Sequence, residues 1–162
     1  MNFVKRFCHV LLLPVILSWF MMTVFVDIIA VPTVFRNVTK VVEAGKVGMT
    51  IFSTFNKIEF IFALIVVIGV IKIYNKEKKN FYLVLSLVLF IWSIAYNLYF
   101  TPQIIHYTTM IHSTLPGDPA MIDYQSSHAF FHKLYRYLDT TKLIMLLTFL
   151  IVLVRNKLSE EK

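Results

Sequence analysis

A single cysteine, Cys8, stands among 162 residues, which excludes an intrachain disulfide, a CxxC redox centre and a thiolate cage for zinc. Charge is scarce as well: 15% of residues are Asp, Glu, Lys or Arg and 58% are hydrophobic, where soluble domains carry about 25% and 45–50%. With a mean hydropathy of +0.72, no separate soluble catalytic domain fits into the chain. A GxSxG elbow, a phosphate-binding glycine loop, an HExxH helix and a paired-carboxylate glycosidase pattern are all missing, so the sequence gives no positive sign of hydrolase or kinase chemistry. A non-enzymatic protein is expected. No internal repeat, low-complexity run or heptad is visible in the sequence.

What the sequence does have is long apolar runs. A membrane-spanning helix needs about 20 such residues, and runs at 8–31, 51–73, 81–104 and 129–154 predict an all-α, polytopic membrane four-helix bundle made of one domain, 1–162. The first run follows Lys5 and Arg6 as a signal-peptide core would, but it is too long and no small-x-small cleavage site follows, so it reads as an uncleaved span. The net charge of +7 does not predict a nucleic-acid partner, because the basic residues sit at the ends of the runs, where they set orientation. Lys5, Arg6, Lys72, Lys76, Lys78, Lys79, Arg155, Lys157 and Lys162 fall on one side, against Arg36, Lys40 and Lys46 on the other. That bias predicts an inner-membrane protein with both termini and the 74–80 loop in the cytoplasm. The long loop 105–128, with a tight turn at Pro116-Gly117-Asp118-Pro119, then lies outside.

Several ionisable residues fall at membrane depth: Asp27, Lys57, Glu59, Arg136, Asp139 and Lys142, whose formal charges cancel. At about 1.5 Å per residue, Glu59, Asn97, Asp139 and Lys142 all reach the outer half of the bilayer. Helical spacing gives each span a semi-polar stripe: Thr23 with Asp27; Ser53, Asn56, Glu59 and Ala63; Trp92, Tyr96, Tyr99 and Gln103; His128, His132, Arg136 and Asp139. Asp27, Glu59, Asn97, Arg136, Asp139 and Lys142 are therefore expected to line a polar chamber that binds or passes a small solute or a metal ion. Balanced acids and bases that merely join the helices form the alternative. Lys142 with Glu59 or Asp139 is the expected pair. Tyr96, Tyr99, Tyr107, Tyr135 and Tyr137 read as an interfacial aromatic belt.

His128 and His132, four residues apart on one helical face, suit two imidazoles on one metal, with His106, His112, Met110 or Met121 as further ligands and copper as the favoured ion. Interfacial histidines bound to water and headgroups are the competing reading. His9, early in the first span, is a candidate axial ligand to haem.

The stretch Phe25-Val-Asp-Ile-Ile-Ala-Val-Pro32-Thr-Val-Phe35-Arg36, followed by Ala44-Gly45-Lys-Val-Gly48 and Phe52, resembles domain-of-unknown-function family 4149, which is similar to transmembrane protein 205. Thr101-Pro102-Gln103, Phe131, Leu134 and Arg136 extend the resemblance, while Tyr135 stands where the family often has histidine. The motif places Pro32 at a span end or kink and Gly45 and Gly48 at a close backbone approach. A more distant similarity, to the copper-resistance protein D and membrane protoporphyrinogen oxidase families, implies copper movement or haem chemistry. The alternative function is accordingly a haem-binding membrane redox protein or oxidase. The lipid bilayer is the expected partner, and assembly as a homo-oligomer is compatible with the sequence.

The basic bias sets a topology that fusion reporters read directly. A reporter after Lys162, or one inserted between Tyr74 and Asn80, is expected to be active only in its cytoplasmic form; activity restricted to the external form reverses the orientation.

Overall fold

Apolar sequence almost free of glycine carries helix wherever backbone groups must be satisfied away from water. The computed structural model describes residues 3–77, 80–115 and 117–160, with side chains described from residue 11 onward apart from those of 41, 73–77 and 157–160. The first helix consists of α1 (Phe3–Val24), a π-helical segment (Phe25–Ala30) and α2 (Val31–Asn37); the second is α3 (Val41–Glu77). The third comprises α4 (Asn80–Ala95), a π-helical segment (Tyr96–Phe100) and α5 (Thr101–Ser113); the fourth is α6 (Ala120–Glu160). Each contains a stretch long and apolar enough to cross a membrane: Leu11–Asn37, Val42–Lys72, Asn80–Ser113 and Ala120–Asn156. The fold is the expected all-α four-helix bundle.

The helices run further than hydropathy suggests, and what reads as the loop 105–128 is mostly helix. Helix α5 ends at Ser113 and α6 begins at Ala120, with Gly117 between them at φ 91°, a left-handed angle that glycine adopts without strain. The Asp118 carboxylate then accepts the Ala120 amide at 2.9 Å and starts α6. Pro116 of the expected turn, and Lys78 and Lys79 of the opposite loop, lie outside the described residues.

Pro32 does not end its helix, because the turn before it is wide. The Val31 amide reaches back five residues to the Val26 carbonyl, and Thr101, just before Pro102, does the same to Tyr96. A π-turn displaces the carbonyls that the proline ring would strike and that its missing N–H would leave unpaired. The chain therefore passes each proline without leaving the helix.

Buried positions expose a regularity that the sequence hides. Leu12, Ile16, Trp19, Thr23 and Val26 of the first helix match, at one constant offset, Tyr82, Ser86, Leu89, Ser93 and Tyr96 of the third. Asn56, Glu59, Ala63, Val66, Val67 and Val70 of the second match Asp139, Lys142, Leu146, Phe149, Leu150 and Leu153 of the fourth. Main spacings alternate three and four, the heptad seam of a left-handed bundle. The protein is two helical hairpins with one burial pattern.

The hairpins pack unevenly. Toward the chain termini, α1 lies on α6 and α3 on α4, around one apolar cluster that includes Leu12, Ile16, Val66, Leu89, Leu146 and Phe149. Beyond the π-segments, α2 keeps α3 and α5 keeps α6, while the backbones of α2 and α6 do not come close among the described residues. The bundle is closed at the terminal end and splayed at the end carrying the two hairpin loops.

Gly69, outside the expected glycine motif, makes the tight approach: a Cβ there would meet Leu12 Cδ2 at 2.9 Å. Gly48 would meet only the edge of the Phe35 ring at 3.3 Å, and Gly45 faces open space. The expected backbone contact at Gly45 and Gly48 is thus corrected: one keeps room for Phe35, the other faces a cavity. Denaturation in detergent should show Gly69→Leu destabilised by about 1–3 kcal/mol through overpacking, with Gly45→Ala close to the parent.

Candidate functional site

The splay between hairpins forms a cavity of about 860 Å³ lined from all four helices. Its walls are mainly apolar, among them Val31, Phe35, Met49, Phe52, Ile104 and Leu143. Asp27, Thr101, Tyr135, Asp139 and Thr140 add polar groups, and His112, His128, His132 and Arg136 line it as well. Gly45 and Gly48 are part of the same wall, and their missing side chains enlarge the space.

Beneath Asp139 lies a cross-bundle knot. Lys142 (1% exposed) reaches from the fourth helix to Glu59 (0% exposed) on the second, Nζ to Oε1 at 2.7 Å, and also pairs with Asp139. Trp19 Nε1–H donates to the same Glu59 oxygen at 2.8 Å, with the Thr23 hydroxyl 3.2 Å away. The ammonium also sits over the rings of Tyr96, at 5.0 Å, and Phe55, at 5.7 Å. Charges in an apolar interior are tolerated when paired and held by further polar contacts and π faces.

A second polar layer adjoins the first. Asn56 Nδ2 donates to Thr101 Oγ1 at 2.7 Å, and its Oδ1 accepts the Tyr135 hydroxyl at 3.0 Å. Asn97 Nδ2 donates to the backbone carbonyls of Asn56, at 2.8 Å, and Ser93, at 2.9 Å. Tyr96 and Tyr135 rest ring against ring at 4.8 Å. These contacts fasten the second, third and fourth helices at the level of the third helix's π-segment.

Acid outnumbers base in the cavity floor. Asp27, on the first helix's π-segment, places its carboxyl against that of Asp139 within the field of Glu59 and Lys142. Asp27 Oδ2 and Glu59 Oε2 are buried and find no hydrogen-bond donor among the described residues. The expected charge cancellation is therefore corrected: Lys57 is exposed on the outer face of its helix, and Arg136 is exposed with no carboxylate in ion-pair contact among the described residues. Three carboxyls surround one buried ammonium.

The expected chamber residues thus divide. Asp27, Arg136 and Asp139 line the cavity, Glu59 and Lys142 plug its base, and Asn97 ties helices together without lining it. His128 and His132 lie on one cavity wall with ring centroids 5.8 Å apart. Among the described residues no three His, Cys, Asp or Glu side chains converge as metal ligands. His9, the haem candidate, lies outside the residues whose side chains are described. Of the expected aromatic belt, Tyr96 and Tyr135 are buried inside the bundle while Tyr99 and Tyr137 stay exposed. Sequence reading also missed Trp19 as a partner of Glu59, although its four-residue spacing from Thr23 places both on the face that meets it.

Fold and site together define a multi-pass membrane protein with a deep, acid-floored cavity between two helical hairpins. The family model described as Domain of unknown function (DUF4149) matches residues 15–113, and the chain belongs to that family. The match ends on Ser113, the last residue of α5, so Asp139 and Lys142 lie beyond it. No curated protein and no solved structure matches the chain.

The knot is expected to behave as a coupled unit. Lys142→Met strands buried carboxylates and should lower stability in detergent by about 3–5 kcal/mol, whereas adding Glu59→Gln should restore part of the loss. A double-mutant cycle with strictly additive effects would remove the Lys142–Glu59 coupling.

Proposed function

We propose that the protein binds a small solute, and offers it passage, in the cavity between its hairpins, which opens away from the cytoplasm at the inner membrane. One observation carries the reading: all four helices line a single cavity of about 860 Å³ that descends to Asp27 and Asp139. Ligand sites are commonly about 300–1,000 Å³, largely apolar, with a few convergent polar groups. Intramembrane ionisable residues that face such a space are functional candidates by default.

Architecture supports the same reading. Paired interruptions at corresponding places in two repeated halves are a pointer to the binding site of a transporter, and here the π-segments before Pro32 and Pro102 occupy such places. The apolar cluster toward the termini closes the path below, which leaves the side of the two hairpin loops for entry from water. The basic bias of the sequence puts that side outside the cell interior.

Accessibility tests the reading. In a Cys8→Ser background, cysteines introduced by Thr108→Cys and Thr140→Cys should react with a membrane-impermeant thiol reagent added from the external side, and Ala63→Cys should not. Labelling of the first two only from the cytoplasmic side, or of neither, would defeat it.

A further inference from the structure

The chemistry of the floor narrows the solute class, and this step rests on the cavity reading above. From the geometry we infer that the cavity takes a monovalent organic cation with a bulky apolar body, its charge placed at Asp27 and Asp139 and its body against the apolar walls.

Three features of the cavity agree on that class. The floor holds more carboxyls than its one ammonium can match: Lys142 serves Glu59 and Asp139, while Asp27 has no basic partner among the described residues and meets the Asp139 carboxyl, a contact that takes a proton between them which a bound cation would replace. A cation is the ligand that relieves excess acid in low dielectric, whereas an anion would add to it. Aromatic faces are present too: Phe35, Phe52 and Tyr135 line the space, and π faces favour cations, most strongly desolvated ones. Finally, the apolar walls exceed what a small hydrated ion could use, and no three His, Cys, Asp or Glu side chains among the described residues converge as a metal ion's ligands would. Arg136, which shares the wall with His112, His128 and His132, is exposed, and its long stem lets the guanidinium reach water rather than the floor.

The test compares two ions of the same size and shape but opposite charge. The purified full chain in lipid nanodiscs is titrated with tetraphenylphosphonium and with tetraphenylborate, with protein-free nanodiscs as the baseline. Tetraphenylphosphonium is expected to bind saturably, at least about tenfold more tightly than tetraphenylborate, a gap of roughly 1.4 kcal/mol. Asp27→Asn should lose that preference while keeping the parent's melting temperature, Asp27→Glu should retain it, and Arg136→Gln should tighten cation binding. Gly45→Leu, which grows a side chain into the cavity, should abolish binding of either ion. Equal or preferred binding of tetraphenylborate that Gly45→Leu abolishes would overturn the cation class and leave the cavity reading standing. Cation binding indifferent to both Asp27→Asn and Asp139→Asn would overturn the role of the floor carboxyls. Absence of saturable binding by both ions also overturns the inference, and the cysteine labelling then decides separately whether the cavity is open.

Discussion

The ion pair between Glu59 and Lys142 is the constraint on which the rest of the bundle depends. The two residues come from helices that do not approach each other closely, so their side chains must cross the bundle axis to meet. Once they do, neither can be left alone in an apolar interior, and everything near them follows from that demand. Trp19 and Thr23 bring the first helix to the Glu59 carboxylate, Tyr96 brings a ring face from the third, and Asp139 shares the ammonium. The pair also divides the molecule. On one side the heptad seam closes over Ile16, Val66, Leu89 and Phe149, and on the other the hairpins separate.

The burial repeat gives this pair a second meaning. Glu59 and Lys142 occupy equivalent positions in the two hairpins, as do Asn56 and Asp139 in the polar layer. One step further along, at the same offset, Phe52 and Tyr135 touch edge to face with centroids 5.5 Å apart. Where two like halves meet about an axis, equivalent side chains face one another, and identical acids or identical bases there would repel. Unlike residues at equivalent positions turn that repulsion into attraction. The halves share a burial pattern but must differ where they touch.

Much of this was legible in the residues and some was not, for physical reasons. Four spans follow from hydropathy because each run exceeds the bilayer core. The pairing of Lys142 with Glu59 and Asp139 follows from depth and spacing. The seam does not, because Leu11, Leu17 and Ile61 face outward with side chains as apolar as those of Leu12, Ile16 and Leu146 inside. Lipid removes the contrast that marks a buried face in water. For the same reason the stripe Trp92, Tyr96, Tyr99 and Gln103 meets the seam of Leu89, Ser93 and Tyr96 only at Tyr96. Pro32 suggested a helix end because its local chemistry forbids an ordinary α-turn, and only the backbone reveals the wide turn that accommodates it. Gly45 looked like a contact and is instead a space, a difference that depends on what stands opposite and not on the glycine.

The two wide turns do more than let a proline through. A π-turn takes up one extra residue, and one residue is worth about 100° of helical rotation. Below Phe25 and Tyr96 the first and third helices present their heptad faces to the knot; above them the same rods present a rotated face, the one carrying Val31, Phe35, Ile104 and Thr108. Each π-segment is thus a phase adjuster set at the boundary between plug and cavity. The insertion lets one continuous helix obey two packing registers in succession, so the lower half can close tightly without dictating which side chains the upper half shows to its cavity. The number of residues in these segments matters as much as their identity, because length sets which face of the helix turns to the cavity.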